Sequence, residues 1–143
     1  MAATTKASII PAFRYRDGHA AIEFLCRAFG FERYAVYDAP GGTIAHAQLV
    51  LGRNMIMLGS AANGGEYDQW VKPPASRDAV TTQGLYVVVD DCDAHCARAR
   101  AGGATILREP QDEDYGGRGY TCRDLEGHVW SFGTYDPWAA HGG

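Results

Sequence analysis

Residues 12–30 of this chain read AFRYRDGHAAIEFLCRAFG, and this stretch decides the fold because its plan occurs twice. Residues 85–103, LYVVVDDCDAHCARARAGG, repeat that plan: an apolar strand ending in aspartate, a polar turn, and an alanine-rich helix ending in glycine. Asp17 and Asp90 lie 73 positions apart, and the helix-ending glycines keep the same offset. A repeat at about half the chain length predicts two copies of one structural module.

Three more strands are predicted after each helix. In the first half they are ERYAVYD, TIAHAQLVL and NMIMLG, separated by the turn-forming segments APGG and GRN. In the second half they are TILRE, RGYTCRD and HVWSFGTY, separated by DYGG and LEGH. Each half therefore reads strand, helix, strand, strand, strand.

These spans predict one domain over residues 1–143, with module one at about 8–59, a linker at 60–82 and module two at 83–136. A βαβββ module leaves the sheet face opposite its helix bare. Two modules can set their sheets side by side around a shared cleft, which predicts an α+β fold forming an open, cleft-bearing barrel. Concave sites of this kind suit small ligands. A linker of this length is often functional.

Composition excludes several classes of protein. The 143 residues are 46% hydrophobic and 21% charged, with a net charge of −4, so no basic footprint for nucleic acid is present. No apolar run approaches the ~20 residues that span a bilayer, and the first ten residues lack the apolar stretch of a signal peptide. We therefore expect a cytoplasmic protein with no membrane partner. Cys92 and Cys96 flank His95 on a predicted helix, as a metal clip or as small apolar core residues.

The closing strand has two contrasting faces. Trp130 and Phe132 alternate with Ser131, so the two aromatic residues share one face and the serine lies on the other. The aromatic face is predicted to pack under the helix. Ser131 is predicted to face the cleft.

The segments RYRDGHAAIEFLCRAFGFE and DYGGRGYTCRDLEGHVWSFGTY resemble the vicinal oxygen chelate superfamily. That superfamily includes glyoxalase I, extradiol dioxygenases, fosfomycin-resistance transferases and bleomycin-binding proteins. The resemblance covers about residues 8–136, and its closing stretch, with Asp124, Gly127 and Trp130, is the most specific part. The chain is most similar to the branch usually labelled glyoxalase/bleomycin-resistance-like. The resemblance implies a homodimer, because these proteins commonly build their clefts between subunits. The two modules can pack within one chain or exchange across the dimer, and the repeat alone does not choose between these arrangements.

The resemblance also implies where a divalent metal would bind. The enzymes take His, Gln or Glu ligands from the first and last strands of each module. The matching positions here are Ile10, Met57, Gln83 or Gly84, and Ser131. Ile10 and Met57 cannot ligate a hard metal, and Ser131 is a poor ligand. Gln83 alone does not make a site. We therefore expect neither the family metal centre nor another cofactor.

His46 is the leading candidate for a catalytic residue. In TIAHAQLVL it alternates with Ile44, Gln48 and Val50, while the smaller residues of the opposite face suit packing under a helix. His46 and Gln48 would then point into the cleft together. A neutral imidazole there can serve as a general base, or can be a hydrogen-bonded structural histidine.

Further ligand-binding candidates each have a plainer alternative. Arg14 can pair with an anionic ligand group or form an ordinary ion pair. Trp70 can form an aromatic wall over the cleft or merely pin the linker. Tyr115, Arg118 and Tyr120 can line the second half of the cleft or pair across strands.

Two function classes follow. The first is a binding protein that sequesters an aromatic or amphipathic small molecule without a metal. The second is an enzyme: a metal-independent lyase or isomerase that uses His46 as acid or base, or a divergent glyoxalase- or dioxygenase-like metalloenzyme.

Overall fold

The computed structural model describes residues 6–61 and 65–140. Residues 1–5, 62–64 and 141–143 lie outside it, and with them part of the predicted linker and of the N-terminal segment. The elements are β1 (Ala12–Tyr15), α1 (Gly18–Phe24, continued by one π-helical turn, Leu25–Phe29), β2 (Glu32–Ala39), β3 (Thr43–Leu51), β4 (Asn54–Ser60), a 3₁₀ turn (Glu66–Gln69), β5 (Gly84–Val88), α2 (Cys92–Gly102), β6 (Thr105–Asp112), β7 (Arg118–Arg123), β8 (Val129–Gly133) and α3 (Pro137–Ala140).

The strands form two four-stranded sheets of identical topology. The strand order is β1-β4-β3-β2 in the first sheet and β5-β8-β7-β6 in the second. In each sheet the first and last strands of the module pair in parallel, and the other neighbours are antiparallel. This confirms the α+β fold of two βαβββ modules. The two sheets are not closed into a barrel.

Each of the two main helices begins at an aspartate and ends at a glycine. Asp17 accepts a hydrogen bond from the Ala20 amide at 3.0 Å, which satisfies a free donor of the first turn. Gly30 ends the first helix at φ 91°, and Gly103 ends the second at φ 109°, values that glycine adopts cheaply.

The cap of the second helix is not the aspartate that the sequence repeat aligns with Asp17. Asp91, not Asp90, accepts from the amide of Ala94, at 3.0 Å. The second helix is therefore one residue shorter than the first between cap and glycine. The π-helical turn Leu25–Phe29 accommodates the extra residue of the first helix, since a π turn inserts one residue into an α-helix.

The two helices touch where one of them carries no side chain. A Cβ atom on Gly102 would lie 2.6 Å from the Cβ of Ala28. Arg27 donates to the Gly102 carbonyl at 3.0 and 3.1 Å, and Arg98 donates to the carbonyls of Arg27 and Cys26 at 3.0 and 3.2 Å. Each helix thus caps carbonyls of the other, which fixes the two modules together.

The core is continuous across both modules. Trp130 and Phe132 are fully buried, as the sequence predicted for the aromatic face of the closing strand. Phe13 of the first module stacks on Trp130 with ring centroids 5.1 Å apart, and Phe29 contacts Phe132 at 4.8 Å. The helix faces of both sheets therefore share one hydrophobic cluster.

Asp124 joins the modules from within that core. Its fully buried carboxylate accepts from the Tyr15 hydroxyl at 2.6 Å and from the Trp130 indole at 3.1 Å. Three consecutive backbone amides donate to it at 3.0 Å, those of Glu126, Gly127 and His128. Burial and the adjacent carboxylate raise the pKa of Tyr15 well above its ordinary value, so this hydroxyl stays a donor.

The turn that follows Asp124 binds the start of the first helix. Glu126 accepts from the amides of Arg16 and Asp17 at 2.7 and 2.9 Å. The His128 ring contacts the Arg14 carbonyl at 2.9 Å. No helix among the described residues is long and apolar enough to cross a membrane.

Candidate functional site

The sheet face turned away from the helices, here called the open face, carries a cavity of about 780 Å³ on the second sheet. Tyr86, Leu107 and Tyr115 expose apolar surface there. Polar and charged side chains lie beside them: Arg108, Gln111, Asp112, Glu113, Asp114, Thr121 and Ser131. The volume falls in the usual range for small-molecule pockets, about 300–1,000 Å³.

Ser131 faces this cavity, as its alternation with Trp130 and Phe132 predicted. Its hydroxyl lies 2.8 Å from that of Thr121 on the neighbouring strand. Tyr86 is the partner of Ser131 in the parallel register between β5 and β8. The sequence interpretation did not include Tyr86, although it alternates with the apolar residues Leu85 and Val87 and so could have been recognised.

Tyr86 is held rigidly at the cavity wall. Its hydroxyl donates to the Tyr135 carbonyl at 2.6 Å, and burial raises the pKa of that hydroxyl. A Cβ on Gly133 would lie 2.7 Å from the same hydroxyl oxygen, so only glycine leaves room for this ring. The aromatic surface of Tyr86 is therefore preorganised.

The hairpin between β6 and β7 forms the outer edge of the cavity. The Tyr115 hydroxyl donates to Glu113 at 2.9 Å, and the Tyr115 ring meets Tyr135 edge-on with centroids 5.0 Å apart. Arg108 also donates to Glu113. Hydrogen bonds from Arg108 and then Tyr115 lower the pKa of the Glu113 carboxyl.

Two predicted residues of this half have other partners. Arg118 does not line the cavity and pairs with Asp93 at 3.1 Å and Asp112 at 3.2 Å. Tyr120 contributes to the cavity wall, but its hydroxyl is turned to the helix face, 2.6 Å from His95 Nδ1. The structure pairs Tyr120 with Phe132, which the sequence had assigned to the helix face, so the two side chains share that face.

A smaller cavity of about 260 Å³ lies on the first sheet. His46 lines it, and the Gln48 amide nitrogen lies 3.1 Å from His46 Nε2, so these two side chains share a face as predicted. The same alternation was wrong for Ile44, which is fully buried in the core. The pairing of β2 with β3 shifts between Tyr37 and Asp38, where Ala45 is left as an extra residue, and this bulge turns Ile44 inward.

Arg14 also lines the smaller cavity and forms an ion pair within the chain. It donates to Asp68 of the linker and to the Ser60 carbonyl, the latter at 2.8 Å. Its guanidinium carbon lies 5.6 Å from the centroid of the Tyr67 ring. The linker thus covers part of the open face of the first sheet.

Trp70 lies beside this site and not in it. Tyr67 lines the smaller cavity, whereas Trp70 lines neither cavity and is 67% exposed. The two rings meet edge-on with centroids 6.4 Å apart. Tyr67 of the 3₁₀ turn therefore lies at the cavity, where the sequence had predicted Trp70.

A model of the Glyoxalase/Bleomycin resistance protein/Dioxygenase superfamily matches residues 10–132. The chain belongs to this family. It is 33% identical to TioX from Micromonospora sp. ML1, over 90% of this chain and 98% of that one, with a TM-score of 0.70. A family enzyme from Burkholderia phytofirmans PsJN is 23% identical over 85% of this chain and 93% of its own, with a TM-score of 0.67. An uncharacterized protein of Mycobacterium bovis is 27% identical over 133 residues, 93% of this chain and 86% of its own.

Within this family fold, the positions predicted for metal ligands carry poor donors. Met57 lines the smaller cavity, and Gly84 and Ser131 line the larger one. Across residues 6–61 and 65–140, no three His, Cys, Asp or Glu side chains are grouped to hold a metal ion. Cys92 and Cys96 are buried in the core, where burial raises the pKa of both thiols. The donor set at these positions does not fit the family metal.

Proposed function

We propose that this family member is a binding protein that sequesters an aromatic or amphipathic small molecule on the open face of its second sheet. The observation that supports this most is the preorganised aromatic surface of the larger cavity. Tyr86 is fixed by its bond to Tyr135, and Tyr115 by its bond to Glu113. Rigid aromatic side chains bind flat apolar ligands at low entropic cost.

The polar residues around this surface suit an amphipathic ligand. The paired hydroxyls of Ser131 and Thr121 form the floor, and Gln111 and Asp114 lie at the side. Hydroxyl and amide groups orient a ligand without reacting with it. The family name includes bleomycin resistance proteins, which is consistent with a protein that binds its ligand without altering it chemically.

The test is a thermal-shift screen of planar antibiotics and aromatic metabolites, followed by calorimetry and by mass analysis of the recovered ligand. For a hit, Tyr115→Ala should weaken binding by about tenfold, since an aromatic contact contributes roughly 0.5–1.5 kcal/mol beyond the area it buries. Trp138→Ala is the matched control, because Trp138 is 78% exposed and lines neither cavity. Recovery of a chemically altered ligand would contradict sequestration.

The second candidate is a metal-independent enzyme that uses His46, and it is favoured by the position of His46 and Arg14 on one cavity. The neighbouring Gln48 amide lies 3.1 Å from His46 Nε2, and an amide N–H bonded there occupies the lone pair a general base needs. His46→Ala distinguishes the two classes. In an enzyme it should lower turnover by about 10²–10⁴. In the binding protein proposed here it should leave affinity for a ligand of the larger cavity unchanged, and should cost a ligand of the smaller cavity only about 0.5–1.5 kcal/mol.

We also propose that the protein is a homodimer whose open faces contribute to shared ligand sites. The open faces expose apolar and aromatic side chains that a single chain leaves uncovered: Tyr37, Tyr86, Val88 and Leu107. Exposed apolar surface of this kind is typical of interaction sites.

A further inference from the structure

Arg14 is unusually buried for a charged residue on an open sheet face. It exposes only 9% of its surface, because the 3₁₀ turn Glu66–Gln69 lies over it. Its Nη2 atom donates both to the Ser60 carbonyl and to Asp68. Asp68 therefore supplies the carboxylate for a guanidinium that also lines the smaller cavity.

This ion pair is incomplete. Arg14 Nε and Asp68 Oδ2 are both buried and have no hydrogen-bond partner among the described residues. An arginine and a carboxylate favour two parallel N–H···O bonds, and a buried donor or acceptor left over is unfavourable. Arg14 thus bonds Asp68 through Nη2, while Nε, the second donor of such a parallel pair, has no acceptor among the described residues.

The surroundings of Arg14 form a built site. A Cβ on Gly59 would lie 2.7 Å from Arg14 Nη1, so the glycine makes room for the guanidinium. Around the cavity, apolar groups come from Ala12, Phe13, Met57 and Leu58, with His46 as a further polar group. At about 260 Å³, the cavity is slightly below the usual ligand range, about 300–1,000 Å³. It therefore suits a small molecule with one anionic end.

We propose that Asp68 is an internal stand-in for a ligand carboxylate. A small carboxylate with a short apolar body binds Arg14 through the full fork, displaces Asp68, and releases the turn that carries it. This goes beyond the proposed function, which concerns the larger cavity, by naming a ligand class for the smaller cavity.

The test uses benzoate as the probe and benzamide as its uncharged analogue, titrated into the full chain by calorimetry. Asp68→Asn removes the competing charge and should tighten benzoate binding at least fivefold. Arg14→Gln should weaken it at least tenfold, and neither change should affect benzamide. Asp78→Asn, an exposed linker carboxylate bonded to Ser76, is the matched control and should leave benzoate affinity unchanged.

A gain of affinity in Asp68→Asn cannot arise from a damaged fold, so it is the deciding result. Benzoate binding that is no tighter in Asp68→Asn than in the wild type would overturn the proposal, as would benzamide binding as tightly as benzoate. Tryptophan fluorescence provides a second measurement. The part of the emission that comes from Trp70 is identified as the part that Trp70→Phe lacks, and its wavelength should shift when benzoate displaces the turn. Tyr115-dependent binding of a planar ligand, measured on the same variants, reports separately on the larger cavity.

Discussion

Asp124 shows at the scale of one residue why the closing stretch is the most specific part of the sequence. Its carboxylate binds Tyr15 of the first module and Trp130 of the second. Gly127, at φ 103°, places its own amide on that carboxylate and comes so close to the linker that a Cβ would lie 2.7 Å from the Ser76 carbonyl. These residues form the junction between the modules. The motif therefore indicates the fold and does not indicate a ligand-binding site.

His95 is a second buried polar residue whose protonation state the structure determines. A carbonyl can only accept, so Nε2 carries the proton that meets the Phe29 carbonyl at 3.1 Å. Nδ1 then accepts from the Tyr120 hydroxyl at 2.6 Å. Burial is the main cause that lowers the pKa of His95 below its ordinary value, so the folded protein holds this imidazole neutral.

We predict that His95 makes the protein less stable in mild acid. The unfolded chain takes up the proton near pH 6.5, whereas the folded chain takes it up only at a lower pH. The free energy of unfolding should therefore fall as pH decreases from about 6.5, with a slope of at most about 1.4 kcal/mol per pH unit from this residue. Urea unfolding between pH 7.5 and 5.5 measures it.

Two variants test this prediction. His95→Gln should flatten the dependence, while Ala97→Gln, on the exposed face of α2, should keep the wild-type slope. Parallel curves for the wild type and His95→Gln would show that His95 does not cause the loss.

Single contacts were predictable from sequence only where they follow strand alternation. The shared face of His46 and Gln48 follows from their spacing, and the structure confirms it. The pairing of Arg14 with Asp68 joins residues 54 positions apart through a linker without regular periodicity, so no pattern indicated it. That the predicted ligand-binding residues contact a ligand remains a prediction.

At the scale of elements, the positions of the helices and strands were predicted from strand alternation, from turn segments and from the glycines that end the helices. The predicted strand TIAHAQLVL coincides with β3, Thr43–Leu51, and the helix-ending glycines lie where they were expected. The bulge at Ala45 and the π turn at Leu25–Phe29 were missed. Each is a one-residue insertion, and tertiary packing decides where such an insertion falls.

The crossing of α2 with the first helix gives a prediction at this scale. Gly102→Ala should destabilise the protein by about 1–3 kcal/mol, because overpacking a close contact forces the helices apart. This loss should appear although alanine favours a helix by roughly 1 kcal/mol over glycine. The free energy of unfolding in urea measures it.

A double-mutant cycle separates crowding from other effects of that change. Ala28→Gly removes the nearest atom that the new Cβ would meet, the methyl group at 2.6 Å, but leaves the Cα of that residue at 2.7 Å. The relief is therefore partial, and the double variant should be more stable than the sum of the single changes by about 0.5 kcal/mol. Strict additivity would mean that the methyl group of Ala28 does not cause the crowding.

At the scale of the molecule, the repeat at half the chain length predicted two modules, and both contribute to one hydrophobic core. What the repeat left open was whether the modules pair within one chain or exchange across a dimer, and so whether another chain covers the open faces. Tyr37 is 57% exposed on the face that also carries His46, and its ring lies 6.2 Å from that imidazole. A partner chain that covers this face would bury the tyrosine.

We therefore predict that the protein sediments as a dimer at micromolar concentration and that Tyr37→Asp shifts it to a monomer. Because Tyr37 is exposed in the single chain, the change should leave the free energy of unfolding of the monomer nearly unaltered, while a charge buried without a partner opposes association. Ala97→Asp, on the exposed face of α2, is the control and should remain dimeric. If ligand sites are shared, the Tyr37→Asp monomer should also lose affinity for any ligand of the larger cavity. A wild-type monomer at micromolar concentration would rule out the shared sites and leave each open face to bind its ligand within one chain.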